Sequence, residues 1–143
     1  MSEQENSQLI QEAFDALNAR EFDRWALTFA EGFQSDNPNA PEPMGSEQIL
    51  AMVKGIINAF PDLHYHTSLI ITQDDYAVVH WSMHGTHDGA LQTPSGNSIP
   101  PTGKHMMITG SSTYQIKNGK FFRVWAFWDR MSMLDQLGLL PPM

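Results

Sequence analysis

The sequence predicts one α+β domain spanning residues 1–143, with three N-terminal helices packed on a curved antiparallel sheet and a short helix at the C-terminus. Three observations lead there. Apolar residues recur at helical spacing up to Phe60 and at strand spacing from Leu63 to Asp129. Asn118-Gly119 stands between two alternating runs and marks a tight hairpin. No repeat or linker divides the chain, and 143 residues suffice for one core.

Ser2 and Glu5 form a capping-box pattern ahead of the stripe Leu9, Ile10, Ala13, Phe14 and Leu17. A second helix fits Phe22, Trp25, Ala26 and Phe29, with Gly32 as its stop. Ser35 to Gly45 holds three prolines and two asparagines and reads as a loop. Ser46 is a cap for a third helix that carries Ile49, Leu50, Met52, Val53, Ile56, Ile57 and Phe60 and ends at Pro61. Strands follow at Leu63–Thr72, Tyr76–His87, His105–Ile116 and Lys120–Asp129. Asp74-Asp75 turns the first pair, and the Pro- and Gly-rich stretch Asp88–Gly103 is a long loop. A short helix, Met131–Gln136, closes the chain before Gly138. A meander of this kind under helices encloses a cavity, a natural ligand site.

Bulk properties exclude several function classes. The net charge is −8, and residues 1–72 carry 11 acids against Arg20, Arg24 and Lys54. Such a surface repels nucleic acid and anionic lipid and suits a neutral, apolar small molecule. No apolar run approaches the roughly 20 residues of a membrane span. The Met1–Glu5 segment lacks the basic and apolar parts of a signal peptide, and with no cysteine the default compartment is the cytoplasm.

Asp129 ends the run Phe121-Phe122-Arg123-Val124-Trp125-Ala126-Phe127-Trp128 and is the candidate catalytic residue. Strand alternation projects Trp125, Phe127 and Asp129 together. A carboxyl beside two rings is poorly solvated when charged, and its raised pKa suits a general acid/base. The alternative is that Asp129 caps the helix after it or pairs with Arg130. A two-residue hairpin pairs Lys117 with Lys120, so Trp125 falls opposite Ser112, Phe127 opposite Gly110 and Asp129 opposite Ile108. One face then holds Ile108, Ser112, Tyr114, Phe121, Trp125, Phe127 and Asp129, a candidate substrate pocket. The other holds Thr109, Ser111, Thr113, Phe122, Val124, Ala126 and Trp128, a candidate interface for a homodimer or homotetramer. Trp25 and Trp81 are cavity or core residues, and Met83 shares the face of Trp81.

Several motifs resemble one family. Gly85-Thr86-His87-x-Gly89, Pro101-Thr102-Gly103-Lys104, Asn118-Gly119-Lys120 with Trp125 and Asp129, Leu134-x-Gln136-Leu137-Gly138 and the Phe60-Pro61-Asp62 step are similar to those of the SnoaL-like polyketide cyclases. These are also called predicted ester cyclases, and they belong to the NTF2-like superfamily of α+β cones. The resemblance implies a cofactor-free intramolecular aldol ring closure. An Asp at the position of Asp129 would take a proton from the carbon beside a carbonyl and return one to the new alkoxide. Phe127 offers that acid no polar help, Arg123 stands where relatives often carry an acid, and the loop from Asp88 to Pro101 is long.

Six histidines raise the question of a metal. His64 with His66, and His80 with His84, share strand faces, but no cluster has an established zinc spacing, so neither metal nor cofactor is expected. His66, mid-strand near Trp81 and Met83, is the first choice to assist Asp129. His87 is a candidate to hold the loop after it, and His105 falls on the non-pocket face. The functions in competition are a cyclase or isomerase working on an apolar carbonyl compound, a non-catalytic small-molecule-binding domain of the same fold, and a hydrolase or dehydratase.

Overall fold

Ser2 caps α1 (Glu3–Asn18) as its sequence requires: the Glu5 N–H donates to Ser2 Oγ at 3.1 Å and the Ser2 N–H to Glu5 Oε1 at 3.2 Å. The computed structural model describes residues 2–93 and 96–140. In chain order α2 (Phe22–Ala26), β1 (Phe29–Asp36), α3 (Ser46–Ala59), β2 (His64–Gln73), β3 (Tyr76–Thr86), β4 (Leu91–Gln92), β5 (Ser98–Ile99), β6 (His105–Lys117), β7 (Lys120–Trp128) and α4 (Arg130–Gln136) follow. Helix α3 starts one residue earlier than its sequence cap suggests. Gly45 is the N-cap, and its N–H donates to Gln48 Oε1 at 2.8 Å.

The main sheet has the order β1-β7-β6-β3-β2. The meander β2-β3-β6-β7 is antiparallel as expected, and Asn118 and Gly119 both take positive φ, as a type I′ hairpin demands. Two features correct the sequence reading. Phe29–Asp36 is a strand parallel to β7, not helix and loop. Gly32, with φ of 78°, therefore does not stop a helix; it sits where the β1–β7 register shifts, in a conformation only glycine takes at low cost. The stretch 88–103, expected as plain loop, also folds a small β4–β5 hairpin.

The third correction governs the site. Lys117 pairs with Lys120 and Ile116 with Phe121, but Gln115 pairs with Arg123, leaving Phe122 as the extra residue of a β-bulge. Every residue beyond it changes face. Ser112 lies opposite Ala126 and Thr113 opposite Trp125. Val124, Ala126 and Trp128 thus face the helices, while Trp125 and Phe127 face away.

Helices α1 to α3 cover the inner face, where Ala13, Phe14, Leu17, Val53, Val79, Met83, Ile108 and Phe121 form the core. Two amides fix the layers by imitating strand pairing. Asn18 Nδ2 donates to the Tyr65 carbonyl at 2.9 Å and Asn18 Oδ1 accepts from the Tyr65 N–H at 2.8 Å, tying α1 to β2. Gln136 Nε2 donates to the Met107 carbonyl at 2.8 Å and Gln136 Oε1 accepts from the Met107 N–H at 2.7 Å, tying α4 to β6. Among the described residues no helix is long and apolar enough to cross a membrane.

Candidate functional site

Between the helices and the inner sheet face lies a chamber of roughly 110 Å³. Phe14 and Leu17 come from α1, Trp25 from α2, Phe29 and Phe33 from β1, and Met52, Val53 and Ile56 from α3. The sheet contributes Tyr65, Trp81, Met83, Ser112, Tyr114, Val124, Ala126 and Trp128. Aromatic rings meet edge-on around it, Tyr65 with Phe14 at 5.7 Å and with Trp81 at 5.8 Å between centroids. Asn37, Met52, Ile56 and Trp128 continue into a second space of roughly 350 Å³, the mouth, bounded also by Asn39, Leu91, Gln92, Arg130 and Met133. An apolar cavity of about 150 Å³ holds a benzene ring, so the inner chamber suits about one ring and the rest of a larger ligand would extend into the mouth.

The polar groups of the chamber are few and convergent. The Trp81 indole N–H donates to Ser112 Oγ at 2.9 Å. That leaves the serine O–H free to turn toward the cavity or toward Tyr114. Burial raises the pKa of both phenols, that of Tyr65 up to about 12; for Tyr114 the nearby Ser112 hydroxyl opposes the effect. Both phenols therefore remain neutral O–H donors across the physiological range. Ser35 and Asn37, at the end of β1, complete the set. Among the described residues, no carboxylate or imidazole lines the chamber.

The residues expected at the site divide accordingly. Trp25, Trp81, Met83, Ser112 and Tyr114 line the chamber. Ile108 is buried on the inner face but belongs to the core. Trp125 and Phe127 are corrected to the outer face by the bulge, and Trp128, expected outside, lines chamber and mouth instead. Asp129 is not enclosed by rings. It is exposed and N-caps α4, accepting from the Ser132 N–H at 2.8 Å. Its neighbours Trp128 and Arg130 both bound the mouth. His66 is exposed on the outer face opposite Ser82, away from the cavity, because Tyr65 takes the inward position on β2. Tyr65 is a lining residue the sequence reading passed over; counting from the Asp74-Asp75 turn points His66 inward, and the register shift at Ser68 turns Tyr65 in instead.

Most motifs behind the family resemblance build one clasp beside the mouth. The Thr86 N–H and hydroxyl donate to the two oxygens of Asp62, at 2.7 and 2.9 Å, and the backbone bond holds the Asp62 carboxyl below its usual pKa. His87 Nδ1 accepts from the Thr102 N–H at 3.2 Å and lies 3.0 Å from its hydroxyl. The backbone of His87 pairs with Gly103 and Lys104, and the Gly89 N–H donates to the Ala59 carbonyl at 3.0 Å. His87 thus holds the loop that carries Leu91 and Gln92 to the mouth.

Comparison with known proteins places this architecture. A model of the SnoaL-like polyketide cyclases matches residues 8–137, nearly the whole chain. The chain belongs to the SnoaL-like polyketide cyclase family. Solved structures share the family's cone. AclR, a proposed hydroxylase from Streptomyces galilaeus, superimposes with a TM-score of 0.87 at 20% identity over 99% of this chain and 86% of its own. A proposed SnoaL-like polyketide cyclase from Jannaschia sp. CCS1 gives 0.83 at 22% identity, covering 98% and 95%. IdmH, a proposed polyketide cyclase from Streptomyces antibioticus, gives 0.79 at 21% identity, covering 92% and 97%. No curated protein matches the sequence. At these identities the solved structures establish the fold, and the family supports cyclase- or isomerase-type chemistry. No group of three or more histidine or acidic side chains among the described residues is placed to hold a metal.

Proposed function

We propose that this protein binds an apolar carbonyl compound in the chamber and catalyses proton transfer at the carbon beside the carbonyl, as a cyclase or isomerase without a cofactor. The observation that carries the reading is the line Trp81–Ser112–Tyr114: neutral hydroxyl donors, one held by an indole N–H, inside an otherwise apolar chamber. Donors fixed in such surroundings stabilise the charge that develops on an enolate oxygen.

Asp129 is the candidate acid/base. Its carboxylate would take a proton from the α-carbon, and the electron pair left behind forms the enolate, whose oxygen Ser112 or Tyr114 holds. In a ring closure the α-carbon then bonds to a second carbonyl carbon of the same molecule. The resulting alkoxide takes the proton back from the Asp129 carboxyl. Asp129 itself borders the outer sheet face beside His80, Phe127 and Trp128, so this role requires its side chain to swing past Trp128 toward a ligand that extends into the mouth. The second reading, a binding domain without turnover, is favoured by the cap itself, since an exposed carboxylate committed to the Ser132 N–H is stable without any chemistry.

Deuterium uptake separates the two. A panel of aromatic β-keto esters is incubated with the protein in D2O and followed by proton NMR, with tryptophan fluorescence quenching as the binding readout. Exchange at the α-carbon that disappears in Asp129→Asn supports catalysis. Quenching without exchange in the native protein supports the binding domain and rejects the catalytic reading.

A further inference from the structure

The chain has four arginines, and the fold commits three of them. Arg20 donates to the carbonyls of Leu17, Pro61 and Leu63, at 3.0, 3.2 and 2.6 Å. Arg24 pairs with Glu21 at 2.9 Å, and Arg123 Nε donates to Asp36 Oδ2 at 3.0 Å. Arg130 is different. It is half-buried at the mouth, and among the described residues its guanidinium has neither an ion pair nor a hydrogen bond. Asp129, the acid next to it in the chain, accepts from the Ser132 N–H instead. A charged group drawn partly out of water and left without an acceptor costs stability.

The mouth around Arg130 is arranged for one negative charge. Among the described residues that line it, Arg130 alone is charged, although the chain carries 16 acids against 8 lysines and arginines. Asn37, just past β1, lines chamber and mouth together and is only 8% exposed. Its Oδ1 accepts from the Asn39 N–H at 2.8 Å, while its Nδ2 has no partner among the described residues. Two donors thus stand in the mouth with nothing to donate to. We propose that the ligand is an aryl keto acid whose ring fills the chamber and whose carboxylate binds Arg130, so that Arg130 selects the acid over its ester. The inference rests on the reading that chamber and mouth hold one carbonyl ligand.

Chemistry selects a carboxylate. The flat guanidinium fork matches the two oxygens of a carboxylate, and such charge-assisted bonds are roughly twice as strong as neutral ones. One cation balances one charge. A phosphate dianion would bring a second charge into a chain of net charge −8, with no other cation at the mouth to meet it. The net charge disfavours anions at a distance, and the mouth reverses that sign locally. The order of groups also agrees with the cavity. The ring packs inside, the ketone reaches Ser112 or Tyr114, and Trp128, which lines both spaces, flanks the chain that leads out to the carboxylate. Held at both ends, the ligand keeps its α-carbon at the junction of chamber and mouth.

Isothermal titration calorimetry of the full chain tests the proposal, with benzoylpropionic and benzoylbutyric acids at neutral pH, each beside its methyl ester. One acid or both should bind on the order of tenfold more tightly than the matching ester, as hydrogen bonds to a charged group imply. Added salt should weaken the acid and leave the ester unchanged. Arg130→Gln should bring the acid down to the affinity of its ester, and Arg130→Lys, which keeps the charge and loses the fork, should fall between. The ester controls for structure, since a distorted mouth would weaken both ligands. Esters that bind the native chain as tightly as their acids overturn the proposal and leave the chamber reading in place. So does an Arg130→Gln change that weakens neither ligand, or both by the same factor. If acids and esters alike fail to bind, the chamber reading falls and this inference with it. Turnover plays no part in the test, so a lack of deuterium exchange bears on the catalytic reading alone.

Discussion

Trp81 donates its indole N–H to Ser112 across β3 and β6, and its ring lies over the bare Cα of Gly110, its partner on β6. A methyl group at position 110 would overlap the six-membered ring. Gly110→Ala is therefore expected to cost about 1–3 kcal/mol, the usual penalty for overpacking. Ser112→Ala leaves the indole N–H unpaired in an apolar chamber, at about 1–3 kcal/mol. In a Trp81→Phe background the same serine change should cost much less, because the donor is gone. Urea denaturation of the four-member cycle measures the coupling. Equal costs in both backgrounds would mean the hydrogen bond contributes nothing.

Gly89 tests the clasp, and Gly55 tests the helix α3 beside it. A Cβ on Gly89 would meet the backbone carbonyl of Asn58, which has no side-chain freedom to yield. Gly89→Ala is expected to lower the melting temperature and, by displacing Leu91 and Gln92 from the mouth, to weaken ligand binding as well. Gly55 lies in the interior of α3 with open space around its Cα. Gly55→Ala should stabilise the protein by about 0.5–1 kcal/mol, the helix-propensity difference. Thermal unfolding of both variants decides; a neutral Gly89→Ala would sink the clasp as a structural device.

Much of this fold was legible because its signals are local. The capping box, the α1 and α3 stripes, the Asn118-Gly119 turn and the meander each follow from residues a few positions apart. Strand β1 was not legible in the same way. Phe22, Trp25 and Phe29 keep helical spacing, and the pairing that makes Phe29–Asp36 a strand comes from β7, almost a hundred residues later. The bulge at Phe122 carried the largest consequence, since one extra residue moved Trp125 and Phe127 out of the cavity and Trp128 into it. One clue was present: the unbulged register points Arg123 at the apolar face, where a guanidinium has no partner. With the bulge, Arg123 reaches Asp36 outside and lies over the Trp125 ring at 4.8 Å.

His87 predicts a pH dependence of stability with a definite sign. It is fully buried; Nδ1 accepts from the Thr102 N–H, so Nε2 carries the proton, and Nε2 has no partner. Burial lowers its pKa below the ordinary imidazole value of 6.5. The unfolded chain therefore binds the proton more readily than the folded one. The stability from the neutral ring is complete above the unfolded value and is lost as pH falls through the folded value. One such group contributes a slope of at most about 1.4 kcal/mol per pH unit. His87→Asn keeps an acceptor for Thr102 and removes the titration. Its melting temperature should fall less steeply between pH 7 and pH 5 than that of the native chain, across the imidazole range. Parallel curves for the two proteins would show that His87 is not the group involved.

Asp129 serves a structural role that a substitution can separate from a chemical one. Its carboxylate accepts from the Ser132 N–H, and asparagine caps helices about as well as aspartate. Asp129→Asn should therefore leave the melting temperature within a degree or two, since a change of a few tenths of a kcal/mol shifts it no further. Asp129→Ala removes the cap and should cost about 1 kcal/mol. A general acid/base contributes roughly 10²–10⁴ in rate, so exchange at the α-carbon should fall by that factor in both variants if Asp129 acts on substrate. If only the alanine variant loses activity, and in proportion to its lost stability, the aspartate is a cap and the proton is carried elsewhere. If both lose it while asparagine keeps its melting temperature, the same carboxylate that begins α4 also moves the proton at the mouth.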